Sequence, residues 1–270
     1  MNENVTRSLS GLVYILLLVF ATLFSRESFL LLFGLFMLQT IREFCDLILL
    51  PRIPALLIAG LLYFIFAFFL PENKFTDFGL IAASLFVSIR LLFWLFKEKN
   101  IAIDVQGKWV NLIGYIILPF IFVIKISTFD GSFKPMLIIC IFILIWTNDT
   151  FAYIVGKSIG KNKLFESISP KKTIEGFVGG LVFAIIAGII ISKYYLQINI
   201  YVWIITAIIV SFFGTIGDLV ESKFKRVANV KDSGNIMPGH GGMLDRLDSI
   251  IFVAPFLFLF YKIIVYVSIS

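Results

Sequence analysis

The sequence predicts an all-α, polytopic integral membrane protein with about nine transmembrane helices. Three observations lead there. Of its 270 residues 60% are apolar and the mean hydropathy is +1.01, whereas soluble domains hold roughly 45–50% apolar residues. The apolar residues fall in runs that reach the span of a bilayer, about 20 residues of helix and roughly 17 at the short end. The period-2 alternation of a membrane barrel is absent, so helices are the way to satisfy every backbone group within lipid.

The expected spans are 9–25, 28–47, 54–70, 78–96, 110–127, 135–156, 174–192, 200–217 and 249–267. The first has Arg7 ahead of it, as a signal peptide would, but no small-residue cleavage site precedes Arg26, so it is read as a spanning helix. The second and sixth carry charged or polar residues near an end. Pro119 marks a possible kink in the fifth, and Arg90 is a costly cation inside the fourth. Cys45 and Cys140 form no metal or disulfide pattern.

With nine spans, the N-terminus and the loops after the second, fourth, sixth and eighth share one face, which holds 16 Lys and Arg against 6 on the other. The positive-inside rule makes the richer face cytoplasmic, with the N-terminus inside. Topology thus accounts for the net charge of +6 without a nucleic-acid partner. The expected outer loops are short: Arg26-Glu27, Pro71 to Asp77, Ser127 to Lys134 and Lys193 to Asn199. Two inner loops are long and polar, 156–173 and 218–248. Residues 1–134 therefore read as scaffold helices and residues 135–270 as the catalytic region.

Polarity concentrates in KDSGNIMPGHGGMLDRLDS, Lys231 to Ser249. Asp218 ends one apolar helix, while Asp245 and Asp248 open the next, three residues apart and on one helical face. Three carboxylates meeting at a helix mouth repel unless a hard cation joins them, and Mg²⁺ commonly takes one or two carboxylates plus substrate phosphates. Asp245 and Asp248 would equally suit a helix dipole at its N-terminus. Lys223, Lys225, Arg226, Lys231 and Arg246 surround the same point. Such bases equip a site for a polyphosphate or simply face lipid headgroups. His240 is the chain's one histidine, and its glycine neighbours, Gly241 and Gly242 among them, free the backbone to present N–H groups to phosphate oxygens.

A second cluster, Thr147 to Gly176, begins with Asn148 and Asp149 near the end of an apolar segment, followed by Tyr153. Polar groups there default to function, and nucleotide binding is the expectation for these three. Further on, Lys171 and Lys172 precede a helix N-terminus, where an anion is well received. Thr173 is alternatively an N-cap and the lysines topological markers. The glycines do not form a Walker A pattern, which argues against a P-loop ATPase.

Ser222-Lys223-Phe224-Lys225-Arg226, Lys231-Asp232, Pro238-Gly239-His240-Gly241-Gly242 and Asp245-Arg246-Leu247-Asp248 together resemble the signature of the phosphatidate cytidylyltransferase (CDP-diacylglycerol synthase) family. Ser169 to Gly176 is similar to the family's second motif. Met237 and Ile174 depart from the usual residues, both by apolar exchange. The resemblance implies CMP transfer from CTP to phosphatidate, with Mg²⁺ on Asp218, Asp245 and Asp248 and a second, monovalent cation. It implies a homodimer in the cell inner membrane with its site facing the cytoplasm. Lys225 and Arg226 would act in catalysis. Lys171, Lys172, Thr173, Ser222, Lys223, Lys231, Asp232, His240, Gly241, Gly242 and Arg246 would bind substrate.

The nearest rival is a CTP-dependent lipid kinase of the dolichol-kinase type, distinguished by its phosphorylated product. A cation transporter using Asp149 and Arg90 would leave PGHGG and SPKKT unexplained. A CDP-alcohol phosphatidyltransferase lacks its expected DG-x2-AR pattern here.

Overall fold

The structure is a computed structural model that describes residues 3–69, 73–97, 103–129, 131–194 and 199–269. Parts of three expected outer loops, at 71–72, 130 and 195–198, lie outside the described residues.

Within the described residues the order is α1 (Glu3–Phe24), α2 (Arg26–Ile48), α3 (Arg52–Phe64), a π-helical stretch (Ile65–Phe69), α4 (Lys74–Leu95), α5 (Val105–Asn111), a second π-helical stretch (Leu112–Ile117), α6 (Leu118–Ser127), α7 (Pro135–Ile159), β1 (Lys163–Phe165), β2 (Ser169–Thr173), α8 (Ile174–Tyr194), α9 (Ile200–Val227) and α10 (Leu244–Ile269). Eight helical spans are long and apolar enough to cross a membrane, with Val105–Ser127 continuous through its π-helical centre. The third expected span, 54–70, corresponds to a shorter apolar helix, Arg52–Phe68.

Local chemistry explains the boundaries. Ser25 and Ser28 form a reciprocal capping box that starts α2 immediately after α1. Asn73, Asp104 and Asn199 cap α4, α5 and α9 with side-chain oxygens that accept N–H groups of the first turn. Pro119 sits just past the second π-helical stretch, where the altered hydrogen-bond spacing accommodates the donor that proline lacks.

Two boundaries differ from expectation, and both bear on the site. Helix α9 runs on to Val227 rather than ending near 217, because its polar residues find partners without leaving the helix. Glu221 pairs with Lys225 at 2.6 Å, and Lys223 reaches the end of α4. Helix α10 begins at Leu244, ahead of Asp245. In addition, the expected loop after α7 contains a two-stranded antiparallel hairpin that pairs Lys163 with Thr173 and Phe165 with Ser169. Glu175 organises its base by accepting the N–H groups of Lys161 and Asn162 at 3.0 and 3.2 Å.

Buried residues make up 89% of the most apolar stretch of Val105–Ser127 and 17% of that of Val5–Phe24, so the former is the axis of the bundle and the latter lies at its margin. Around the axis, Phe224 of α9 packs its ring against Trp94 of α4 at 4.6 Å, Phe44 of α2 at 5.1 Å and Tyr115 at 5.8 Å. This aromatic junction fixes α2, α4 and α9 to the axis directly beneath the polar residues of α9. Arg90 is satisfied by the Gly107 carbonyl at 3.2 Å and by the Asn111 side chain, which ties α4 to α5.

Long-range contacts gather the polar loops at one end. Ser10 of α1 bonds the Pro238 carbonyl, Phe96 beyond α4 packs on Phe165 of the hairpin at 5.6 Å, and Lys223 bonds the Lys97 carbonyl. At the opposite end Asp77 of α4 holds Lys125 of α6 at 2.8 Å and Lys262 of α10 at 3.0 Å. The Asp77 and Lys125 side chains are 5% and 7% exposed, so this pairing is a buried one. Asp77→Asn is expected to lower stability by about 3 kcal/mol, because it strands buried ammonium groups. Thermal unfolding in detergent checks this, and Asp77→Asn with Lys125→Met should recover most of the loss.

Candidate active site

The loop between α9 and α10 is shaped by two carboxylates of the protein itself. Asp245, in the first turn of α10, accepts the Ser233 N–H at 2.9 Å, the Gly242 N–H at 2.7 Å and the Ser233 hydroxyl at 2.8 Å, all on Oδ2. Its Oδ1 binds the Lys225 ammonium at 2.6 Å. Glu43, from the C-terminal part of α2, completes the arrangement. Its Oε1 accepts the Met243 N–H at 2.9 Å and the Gln39 amide at 2.9 Å, and its Oε2 accepts the Leu244 N–H at 2.8 Å. Glu43 is 4% exposed. Its carboxylate occupies the N-terminus of α10, the place where a helix dipole and free N–H groups favour an anion.

The glycines serve this packing. Gly239 and Gly241 have φ of +73° and +82°, which other residues rarely adopt. A Cβ on Gly242 would collide with the Ser233 hydroxyl and the Glu43 carboxylate, and one on Gly241 would press on Asp245. The expectation that the N–H groups of Gly241 and Gly242 are free for phosphate is therefore corrected at Gly242, whose N–H is given to Asp245. His240 turns toward α1, with Nδ1 2.8 Å from the Ser10 hydroxyl. Burial, then the charges of Arg246 and Arg7, hold the imidazole below its ordinary pKa, so it is neutral at pH 7.

A cleft of partly exposed charged groups lies beside this loop. Lys172, at the end of the hairpin, binds Asp218 Oδ2 at 2.6 Å, and the Ser222 hydroxyl donates to Asp218 Oδ1 at 3.2 Å. Asp149 and Asp248 interact electrostatically with Asp218 and with Lys172. Helices α7, α9 and α10 and the hairpin thus each deliver a charged group to one place. The side chains of Asp218 and Lys172 remain 37% and 26% exposed, and Asp149 is exposed. Asn148 is buried and its amide supports the Asp149 carboxylate at 3.1 Å. Arg246 is exposed and acts electrostatically on Asp149.

Other expected site residues separate from this cleft. Lys223, 4% exposed, spends its ammonium on the carbonyls of Trp94, Leu95 and Lys97 at 2.6, 3.2 and 2.7 Å. It caps α4 and cannot also reach a substrate. Thr173 is buried, and its hydroxyl accepts the Gly176 N–H at 3.1 Å, so it is the cap of α8. Lys225 bridges Glu221 and Asp245 at 2.6 Å each. Lys171, Arg226, Lys231, Asp232 and Tyr153 are exposed, Arg226 touching the Ile168 and Val230 carbonyls and Tyr153 lying under Lys157.

A divalent cation suits part of the expected triad. Among the described residues no group of three or more His, Cys, Asp or Glu side chains is arranged to hold a metal. In this structure Asp245 is paired with Lys225, Ser233 and Gly242. Asp218 and Asp248 face the cleft, and two carboxylates are what Mg²⁺ commonly takes beside substrate phosphates. Sequence reasoning missed Glu43, Glu221 and Ser10. An acidic residue inside an apolar segment was the available signal for the first.

Comparison with known proteins gives a consistent result. The cytidylyltransferase family profile matches residues 5–264. A phosphatidate cytidylyltransferase of Staphylococcus haemolyticus is 52% identical over 118 residues, 43% of this chain and 45% of the relative. Those of Staphylococcus aureus and Staphylococcus epidermidis are 53% identical over 118 residues and 51% over 117, with the same coverage. The alignment therefore spans under half the length of these relatives.

Two substitutions test the loop's anchorage. Glu43→Gln loses the anion at α10, and Gly242→Ala introduces a collision with Glu43 and Ser233. Each should cost about 1–3 kcal/mol in thermal unfolding, and each should bring protease cleavage between residues 230 and 243 that the parent protein resists.

Proposed function

The chain belongs to the cytidylyltransferase family, and from that premise we propose that it is a phosphatidate cytidylyltransferase, converting CTP and phosphatidate to CDP-diacylglycerol and pyrophosphate. The observation that carries the reading is the convergence of Asp149, Asp218, Asp248 and Lys172 in one accessible cleft at the polar-loop end of a helical membrane bundle. The relatives' names speak for nucleotidyl transfer, so the lipid kinase is not favoured.

In this reading an oxygen of the lipid phosphate attacks the α-phosphorus of CTP, and the bond to the β-phosphate breaks to release pyrophosphate. The attacking phosphate is already ionised at neutral pH, so no general base is required. The difficulty is repulsion between two anions, and positioned positive charge is the remedy. Lys172 leaves Asp218 to meet a phosphate, while Lys171, Arg226, Lys231 and Arg246 raise the local potential around the mouth. Asp218 and Asp248 would hold Mg²⁺, which when bound supplies charge neutralisation at the phosphates. Asn148 keeps Asp149 oriented in the cleft. Asp245, Lys225 and Glu43 hold the loop rather than touch the reacting atoms.

The same reading sets the N-terminus and the cleft on the cytoplasmic side of the cell inner membrane, where CTP is available, and takes the working protein as a homodimer. The charge asymmetry of the loops supports the orientation.

The test is incubation of purified protein with phosphatidate, Mg²⁺ and CTP labelled at its α-phosphorus. Label should enter the organic phase and be abolished by EDTA; label that enters lipid only from the γ-phosphorus, with a lipid alcohol as acceptor, would establish the kinase instead. Asp218→Asn and Asp248→Asn should each lower kcat by about 100-fold or more in protein that still elutes as a folded species. Lys172→Ala should raise KM for CTP.

A further inference from the structure

Beside the cleft, a groove of about 420 Å³ runs along α1, walled by α1, by Phe36 of α2 and by Met237 and Met243 of the last loop. It follows α1 from Thr6 to Leu17, roughly 16 Å at a rise of about 1.5 Å per residue. Leu9 and Val13 on its rim are 52% and 55% exposed, so it opens sideways onto the margin of the bundle.

Its two ends differ in chemistry. The deeper wall is apolar, while the end at the loop carries Ser10, bonded to His240 and to the Pro238 carbonyl, with the Arg7 side chain against Gly239. Arg7 and Arg246 both act electrostatically on His240. Tyr14 links this groove to the cleft. Its ring stacks on Phe36 at 5.9 Å and lines the groove, and its hydroxyl is within electrostatic reach of Arg246 and Asp248. Tyr14 is 7% exposed, and its hydroxyl has no hydrogen-bond partner among the described residues. A buried donor left unpaired is unfavourable and asks for an acceptor from outside the chain.

We propose that this groove receives one acyl chain of phosphatidate, with its phosphate drawn to the Arg7 and Arg246 end and Tyr14 donating to a phosphate or ester oxygen. This rests on the function proposed above and deepens it, by giving the lipid substrate an entry from the bilayer that leaves the cleft mouth to the nucleotide. A contrast within the molecule favours an anionic lipid. A second apolar groove of about 430 Å³, between α2 and α3, is lined by Glu27, whereas no acidic residue lines the first, which has the Arg7 side chain beside it at Gly239.

Two experiments separate the outcomes. Val13→Phe narrows the groove at a rim position and should raise KM for phosphatidate about tenfold while moving KM for CTP and kcat less than about twofold. Leu35→Phe, the same kind of enlargement in the second groove, should change none of these. Arg7→Gln should also raise KM for phosphatidate, and Arg7→Lys should restore it. An unchanged KM for phosphatidate in folded Val13→Phe overturns the proposal.

In the second experiment, phosphatidate carrying a photoreactive diazirine on one chain is crosslinked to the parent protein and the adducts are mapped by mass spectrometry. Adducts should fall on residues 9–17 and 236–243 and be displaced by excess phosphatidate but not by phosphatidylcholine. Equal displacement by phosphatidylcholine would mean ordinary boundary lipid and would overturn the proposal. Specific crosslinking by protein that makes no CDP-lipid would keep the groove and sink the transferase reading, so the two failures are distinguishable.

Discussion

Two buried carboxylates, Glu43 and Asp245, hold the last loop of this protein, and the geometry of the cleft depends on them. Between them they take the N–H groups of Ser233, Gly242, Met243 and Leu244 and the hydroxyl of Ser233. The first turn of α10 is thereby satisfied from within the protein, and Asp248, one turn further on, is delivered to the cleft in a fixed direction. Because Glu43 comes from α2, the N-terminal half of the chain is part of the site's construction as well as its support.

Charge within an apolar bundle is costly, and the protein divides it into two sets. One set is spent on structure: Lys223 on the carbonyls of α4, Lys225 between Glu221 and Asp245, and Asp77 with Lys125 and Lys262 at the far end. These groups are shielded and paired, as buried ions must be. The other set, Asp149, Asp218, Asp248 and Lys172, is less deeply buried and sets three carboxylates against one ammonium. An excess of carboxylates facing an open cleft is the arrangement that draws a cation and, through it, phosphate groups.

The spans and the two polar clusters were legible in the sequence because they rest on local signals, apolar run length and the concentration of polar residues. Their roles were less so. Asp245 and Asp248 look equivalent by spacing, yet the loop folds back over one and leaves the other facing the cleft, which no local rule encodes. Lys223 sits in the same motif as Lys225 and Arg226, and its direction is decided by where α4 ends, more than a hundred residues earlier in the chain. Thr173 was readable as an N-cap or as a ligand, and the structure makes it the cap. Glu43 left a trace as a charge in an apolar segment, but its partners are Met243 and Leu244, a pairing visible only after folding. The hairpin at 163–173 was hidden because its strands are short and polar and depend on Glu175 for closure.

This loop is organised by the protein's own carboxylates before any substrate arrives. Hydrogen–deuterium exchange at the amides of Gly242, Met243 and Leu244 tests it most directly, in protein purified without nucleotide or divalent metal. Strong protection that does not increase when CTP and Mg²⁺ are added is the predicted result. Fast exchange in the free protein, with protection appearing only on adding CTP, would mean that those N–H groups are reserved for phosphate and not for Glu43 and Asp245.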